Sequence, residues 1–78
     1  MSKFTNLRDV LAQNIRCRRS ELQLSQEQLA ANCGLHRTYI GSVERSERNV
    51  SLSTLEVLSV ALKLTVPELL SPPKGRRG

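Results

Sequence analysis

The stretch that decides the fold is "LSQEQLAANCGLHRTYIGSVER", residues 24–45. Its "SQEQ" segment, residues 25–28, has the pattern of a capping box, in which a serine and a glutamine side chain satisfy backbone groups of a first helical turn. Leu24 and Leu29 are spaced as a hydrophobic staple around it. Gly34 follows two helical turns later and suits the left-handed residue that ends a helix. The stretch therefore opens with a short helix that stops at a turn.

The second half of the stretch predicts another helix, from about residue 36 to residue 45. At 100° per residue, Ile40, Val43 and Glu44 fall on one arc. The opposite arc is polar and consists of Thr38, Gly41, Ser42 and Arg45, flanked by Arg37 and Tyr39. A glycine inside a helix costs about 1 kcal/mol relative to alanine, and a small residue helps where another molecule approaches closely. The polar arc therefore faces either solvent or a partner, and this helix alone does not decide between them.

Further capping patterns predict the later helices. "STLE" at residues 53–56 and "TVPE" at residues 65–68 repeat the capping box. They predict a fourth helix over residues 54–62 and a short fifth helix over residues 66–70. No alternation of apolar and polar residues competes with this helical pattern.

A first helix is predicted from the apolar stripe that begins at about Asn6 or Leu7 and ends at about Leu22. Arg18 interrupts the stripe, and its stem can cover the edge of the core while the guanidinium reaches outward. We therefore expect an all-α domain of five helices over residues 1–70. The remaining residues, 71–78, are expected to form a basic, disordered tail.

The composition indicates an anionic partner. The 78 residues include 12 Lys and Arg against 7 Asp and Glu, with a net charge of +5. A basic balance more often accompanies nucleic-acid binding than membrane binding, although solubility alone also explains it. No apolar run has the length of a membrane span and the N-terminus has no hydrophobic signal core, so a cytoplasmic protein is expected.

The sequence offers little for catalysis or metal binding. It contains one histidine, His36, and two cysteines, Cys17 and Cys33. No second ligand pair completes a tetrahedral zinc site with Cys33 and His36, and a reducing compartment argues against a disulfide. No phosphate-cradling glycine loop is present. We therefore expect no enzyme activity, no cofactor and no metal.

The segment "LSQEQLAANCGLHRTYIGSVERSERNVS", residues 24–51, resembles the Cro/cI-type, lambda-repressor-like helix-turn-helix family. Within it, "LHRTYIGSVERSERNVS", residues 35–51, is most similar to the controller proteins of restriction–modification systems. The resemblance covers roughly residues 7–70. It implies that the second helix lies across the major groove of DNA and that the third helix enters it.

The resemblance also implies roles for individual residues. The base-reading residues would be Arg37, Thr38 and Ser42. The residues that contact phosphates would be Gln26, Tyr39, Arg48, Asn49 and Ser51. Arg37 suits a guanine, because its guanidinium can meet O6 and N7 together. The role of Arg45 is left open.

Two further implications concern structure. The family pairs an inward-facing glutamate with an arginine of the first helix, which here implies an ion pair between Glu44 and Arg19. The sequence departs from the family at Arg18, where an apolar residue is usual, and at Ser46, where glycine is frequent. The departure at Ser46 predicts a differently shaped loop before the fourth helix.

The protein is therefore expected to regulate transcription by binding operator DNA as a homodimer. The dimer is expected to form through Val66, Leu69 and Leu70 of the fifth helix and through the end of the fourth helix. It would block a promoter or assist RNA polymerase beside one, as a restriction–modification controller does. A phage-type repressor or an antitoxin autoregulator is the nearest alternative. A protein-interaction module that kept the fold without DNA binding is a different class of alternative.

Overall fold

The computed structural model describes residues 6–72. It contains five helices in chain order: α1 (Leu7–Glu21), α2 (Gln26–Cys33), α3 (Arg37–Glu44), α4 (Leu52–Leu62) and α5 (Val66–Leu69). No strand occurs between residues 6 and 72, so the expected all-α, five-helix fold is confirmed. Residues 73–78, most of the predicted basic tail, lie outside the described residues. Within residues 6–72 no helix combines the length and the apolar character needed to cross a membrane.

The capping residues explain where most helices begin. Ser25 and Gln28 form the predicted capping box at α2, and Thr65 and Glu68 form the predicted one at α5. Asn6 caps α1 by accepting a hydrogen bond from the backbone N–H of Asp9. Each cap satisfies amides that have no partner within the helix.

The predicted start of α4 is wrong by two residues. The helix begins at Leu52, and its N-cap is Ser51, whose hydroxyl accepts a hydrogen bond from the backbone N–H of Thr54 at 3.1 Å. Ser53, which was expected to form a capping box with Glu56, instead lies inside the first turn. Two serines two residues apart both offer a cap, and the earlier one adds backbone hydrogen bonds to the helix.

The core lies where all five helices meet. Its fully buried side chains include one or two from each helix: Ile15, Leu29, Ile40, Leu58, Leu62 and Leu69. The third helix packs against both α1 and α2. This double contact fixes the orientation of α3 relative to the rest of the domain.

The position of Leu69 contradicts its predicted place in the dimer interface. Its side chain is 0% exposed and belongs to the core of the monomer, so it cannot contact a second copy. Val66 and Leu70 are half-buried and pack against the same core. The four-residue helix α5 therefore mainly covers one side of the core, because a domain this small has few other apolar side chains that could do so.

Two polar side chains of α1 tie down the ends of other helices. The Nε of Arg18 donates to the carbonyl oxygen of Leu62, the last residue of α4, at 2.8 Å. The Nδ2 of the fully buried Asn14 donates to the carbonyl oxygens of Leu69 and Ser71, each at 2.7 Å. The last carbonyls of a helix lack partners within the helix. Arg18 and Asn14 supply these partners, which explains polar residues beside the core.

Candidate nucleic-acid interface

Helices α2 and α3 are joined by a tight turn. Gly34 ends α2 with φ 69°, in the left-handed region that glycine occupies at little cost. The N–H of Leu35 donates back to the carbonyl oxygen of Ala30 at 2.9 Å, which closes the turn. His36 then precedes α3 without a side-chain cap. The first amides of α3 are thus not covered by a capping side chain.

The two residues that open α3, Arg37 and Thr38, both point away from the core and are exposed. The Arg37 side chain is 63% exposed and meets Glu27 of α2 only at 3.7 Å, from Nε to Oε2. A contact this long between two exposed side chains restrains the arginine weakly. Arg37 is therefore free to reach a partner in front of α3, as a base-reading residue requires.

Ser42 and Gly41 do not lie on an exposed face. Ser42 is 8% exposed, and its hydroxyl donates to the carbonyl oxygen of Tyr39 at 2.7 Å. Gly41 is buried as well. The exposed polar arc of α3 is narrower than the helical period predicted. The reason is that α3 packs against two helices and so buries a wider arc than a helix packed on one side. The predicted base-reading role of Ser42 does not fit this placement.

Gln26, the first residue of α2, lies beside α3. Its Nε2 donates to Oε1 of Glu44 at 3.0 Å. A Cβ placed on Gly41 would lie 3.7 Å from Oε1 of Gln26. The glutamine side chain therefore lies in the space beside the glycine. Gly41 thus faces side chains of the protein itself, Gln26 and the guanidinium of Arg45, whereas the sequence suggested another molecule there.

Arg19 and Glu44 form the ion pair that the resemblance implied. Nε of Arg19 donates to Oε2 of Glu44 at 2.6 Å, and Nη2 donates to Oε1 at 3.0 Å. The Glu44 side chain is 3% exposed. This hydrogen-bonded contact raises the pKa of Arg19. Arg16 adds a bond from Nη1 to the backbone carbonyl of Glu44, and sequence reasoning missed this residue because its role is a single contact to backbone.

The remaining residues expected at phosphates lie in α3, in the loop after it and at the start of α4. The guanidinium of Arg48 lies over the ring of Tyr39, 5.6 Å from Cζ to the ring centre. Asn49 is exposed, whereas the hydroxyl of Ser51 caps α4. The structure thus brings Tyr39 and Arg48 together.

The loop after α3 keeps a left-handed residue where the resemblance favours glycine. Ser46 has φ 64°, a conformation that costs a non-glycine residue roughly 1–2 kcal/mol. Its hydroxyl lies 3.4 Å from the carbonyl oxygen of Arg8 in α1. The loop also returns to α3, since the N–H of Glu47 donates to the carbonyl oxygen of Ser42 at 2.9 Å.

The site consists of a short helix, a turn at a glycine and a second helix that begins with an exposed arginine. This arrangement defines a helix-turn-helix domain. The comparisons with known proteins agree. A family model described as "Helix-turn-helix" matches residues 15–69. The control protein C.SmaI of Serratia marcescens is 59% identical over 68 residues, which cover 87% of this chain and 81% of that protein.

Two solved structures have the same fold. The restriction-modification controller protein C.AhdI of Aeromonas hydrophila is similar with a TM-score of 0.76 at 44% identity, over 80% of this chain and 94% of that chain. The C.Esp1396I controller tetramer, in complex with its natural 35 base-pair operator, is similar with a TM-score of 0.76 at 31% identity, over 86% and 92% of the two chains. The protein belongs to the helix-turn-helix family, and the resemblance to controller proteins is confirmed.

Proposed function

We propose that this protein is a sequence-specific transcription regulator that binds operator DNA as a homodimer, as a controller of a restriction–modification system. The observation that carries the proposal is the two-sided character of α3. Its inner side is held to α1 and α2 through Ile40, Val43 and Glu44, while Arg37 and Thr38 remain exposed at its start. The names of the similar controller proteins support the same function.

In the proposed complex the start of α3 enters the major groove. Arg37 donates two hydrogen bonds to O6 and N7 of a guanine, and Thr38 contacts a neighbouring base edge. Gln26, at the positive end of α2, binds a backbone phosphate. Tyr39, Arg48 and Asn49 contact phosphates farther along the strand. The hydroxyl of Ser51 already caps α4, so its predicted phosphate contact is the weakest of this set.

Regulation would follow from occupancy. A bound dimer covers a promoter, or stands beside one and assists RNA polymerase. Because only dimers engage two half-sites, dimerisation and DNA binding are coupled, and occupancy rises steeply with protein concentration. Such a response would time the expression of a restriction enzyme relative to its methyltransferase.

Enrichment from a random-sequence duplex pool tests the function directly. The protein should select a motif with two related half-sites, and should bind the selected duplex roughly a thousandfold or more tighter than a scrambled duplex at one fixed salt concentration. Failure to enrich any motif, with only weak and salt-sensitive binding, would instead favour a protein-interaction module with the same fold.

The dimer interface is better placed on α4 than on Leu69. Val60 is 79% exposed, and together with Val57 and Ala61 it lines a shallow apolar groove that Asn32 and Glu56 border. Exposed apolar side chains that line one groove offer a surface that a second protein could cover. We place a second copy there, with the half-buried Val66 and Leu70 contributing from α5. The two recognition helices would then lie about 34 Å apart, one turn of DNA.

Val60→Asp is expected to raise the dimer dissociation constant at least about tenfold, because it places a charge in a desolvated apolar contact. Sedimentation equilibrium measures the effect. Leu52→Asp is a matched control, since Leu52 lies on the same helix and is 78% exposed. Dissociation by Leu52→Asp and not by Val60→Asp would place the interface elsewhere. Leu69→Asp is unsuitable as a test, because it would disrupt the core.

A further inference from the structure

Arg45, whose role the sequence left open, lies beside Gln26 over the third helix. The residue follows the end of α3, and its guanidinium folds back along the helix. A Cβ placed on Gly41 would lie 3.2 Å from Nη1 of Arg45 and 3.7 Å from Oε1 of Gln26. Both side chains therefore converge on the same point of α3. The guanidinium thus lies close against the backbone of α3 at Gly41.

The guanidinium is already occupied by a carboxylate. Nε of Arg45 donates to Oε2 of Glu47 at 3.0 Å, and Nη2 donates to Oε1 at 3.2 Å. This bidentate contact is the geometry in which a guanidinium also binds a phosphate. The hydrogen bond from Arg45 lowers the pKa of Glu47, which favours the charged form of this carboxylate. The backbone N–H of Glu47 donates to the carbonyl oxygen of Ser42, which fixes the main chain at this residue.

We propose that Arg45 binds a phosphate of the DNA backbone next to the phosphate-binding Gln26, and that Glu47 is an internal competitor for its guanidinium. The proposal rests on the DNA-binding function proposed above. On binding, a phosphate oxygen pair replaces the two carboxylate oxygens of Glu47. Glu47 therefore lowers the affinity for DNA of any sequence, because it must be displaced and because its charge repels the phosphate.

The exposure of the pair makes the exchange feasible. The side chains of Arg45 and Glu47 are both more than half exposed, and exposed ion pairs of this type are weak. Displacing Glu47 is thus inexpensive, and a backbone phosphodiester, with one negative charge and two unesterified oxygens, can take over both hydrogen bonds from the guanidinium. The pair adjusts affinity by a modest factor and does not act as an on–off switch.

The test is titration of a Glu47→Gln variant against two duplexes, one enriched by the wild-type protein from a random pool and one scrambled. Affinity should rise about two- to fivefold on both, the range expected for releasing an exposed ion pair. Glu21→Gln is the matched control. Glu21 is also an exposed carboxylate in an ion pair, 3.1 Å from Arg18, and its removal changes the net charge equally. It should leave both affinities within experimental error.

A double-mutant cycle completes the test. Arg45→Gln should weaken binding to both duplexes and reduce the slope of log K against log salt by about 0.9. In that background Glu47→Gln should give no gain, because the competitor has nothing left to block. Circular dichroism confirms that each variant is folded.

Four results would overturn the proposal. An equal gain from Glu21→Gln, or a gain from Glu47→Gln that persists in the Arg45→Gln background, would mean that net charge alone acts. A gain confined to the enriched duplex would make Arg45 a base-reading residue. A wild-type protein that binds neither duplex would overturn the proposed function as well, and is distinguishable from the other results for that reason.

Discussion

Glu44→Ala is expected to lower the free energy of unfolding by about 3 kcal/mol, because removing one partner of a buried ion pair leaves the other charge without compensation. Arg19 would lose two hydrogen bonds to the carboxylate and keep only the bond from Nη1 to the carbonyl oxygen of Leu24. Gln26 would lose its acceptor as well. Three donors would thus lose an acceptor in a partly buried site, where the Arg19 side chain is 22% exposed.

Chemical denaturation at one fixed protein concentration measures this effect, since the stability of a dimer depends on concentration. Glu27→Ala is the matched control. Glu27 also pairs with an arginine, Arg37, but both side chains are mostly exposed, and such a pair is worth less than about 1 kcal/mol. Equal losses from Glu44→Ala and Glu27→Ala would show that burial adds nothing to the importance of the Arg19–Glu44 pair.

Arg37→Ala is expected to reduce the difference in binding free energy between specific and non-specific DNA by about 1–3 kcal/mol. This is the value of one bidentate arginine–guanine contact. Arg37 is exposed at the start of α3 and held only by a long contact to Glu27. Its removal should leave the fold and the dimer intact. Titration of the variant against the enriched and scrambled duplexes, at one salt concentration, measures the ratio.

Gln26→Ala provides the contrast, because phosphates carry no sequence information directly. It should weaken binding by a similar factor on both duplexes and leave the ratio unchanged. If Arg37→Ala keeps the wild-type ratio, then Thr38 or the shape of the DNA must carry the specificity.

The sequence predicted the helices well because their starts depend on local chemistry. A serine and a glutamine three residues apart, as in Ser25 and Gln28, satisfy backbone groups that are adjacent in the chain. The start of α4 was misplaced for the same local reason. Ser51 and Ser53 both offer a hydroxyl to a first turn, and local pattern alone does not choose between them.

The errors in the candidate site come from tertiary contacts. The helical period separates an inner from an outer arc, but it does not show that α3 packs against two helices and buries Ser42. Similarly, the apolar residues of α5 do not reveal how they divide between core and surface. Leu69 closes the core, while the exposed apolar surface lies at Val60. The ion pair of Arg19 and Glu44 was available only from the resemblance.

The basic composition overstates the charge that faces DNA. Three arginines of α1 hold other helices: Arg16 and Arg19 bind Glu44, and Arg18 binds the end of α4. Among residues 6–72, the arginines that the proposed complex brings to DNA are in α3 and the loop after it: Arg37, Arg45 and Arg48. A net charge of +5 is therefore a poor count of the phosphates that one protomer neutralises.

Glu44 accepts hydrogen bonds from both α1 and α2, and this gives one carboxylate two duties. It holds the domain together through Arg19, and it orients Gln26 for the proposed phosphate contact. A substitution of Glu44 during evolution would therefore lower the stability of the folded protein and its affinity for operator DNA at the same time. A second substitution that restored only one of them would not rescue the regulator. Natural variation at Glu44 should therefore be rare, and where it occurs it should be accompanied by changes at both Arg19 and Gln26.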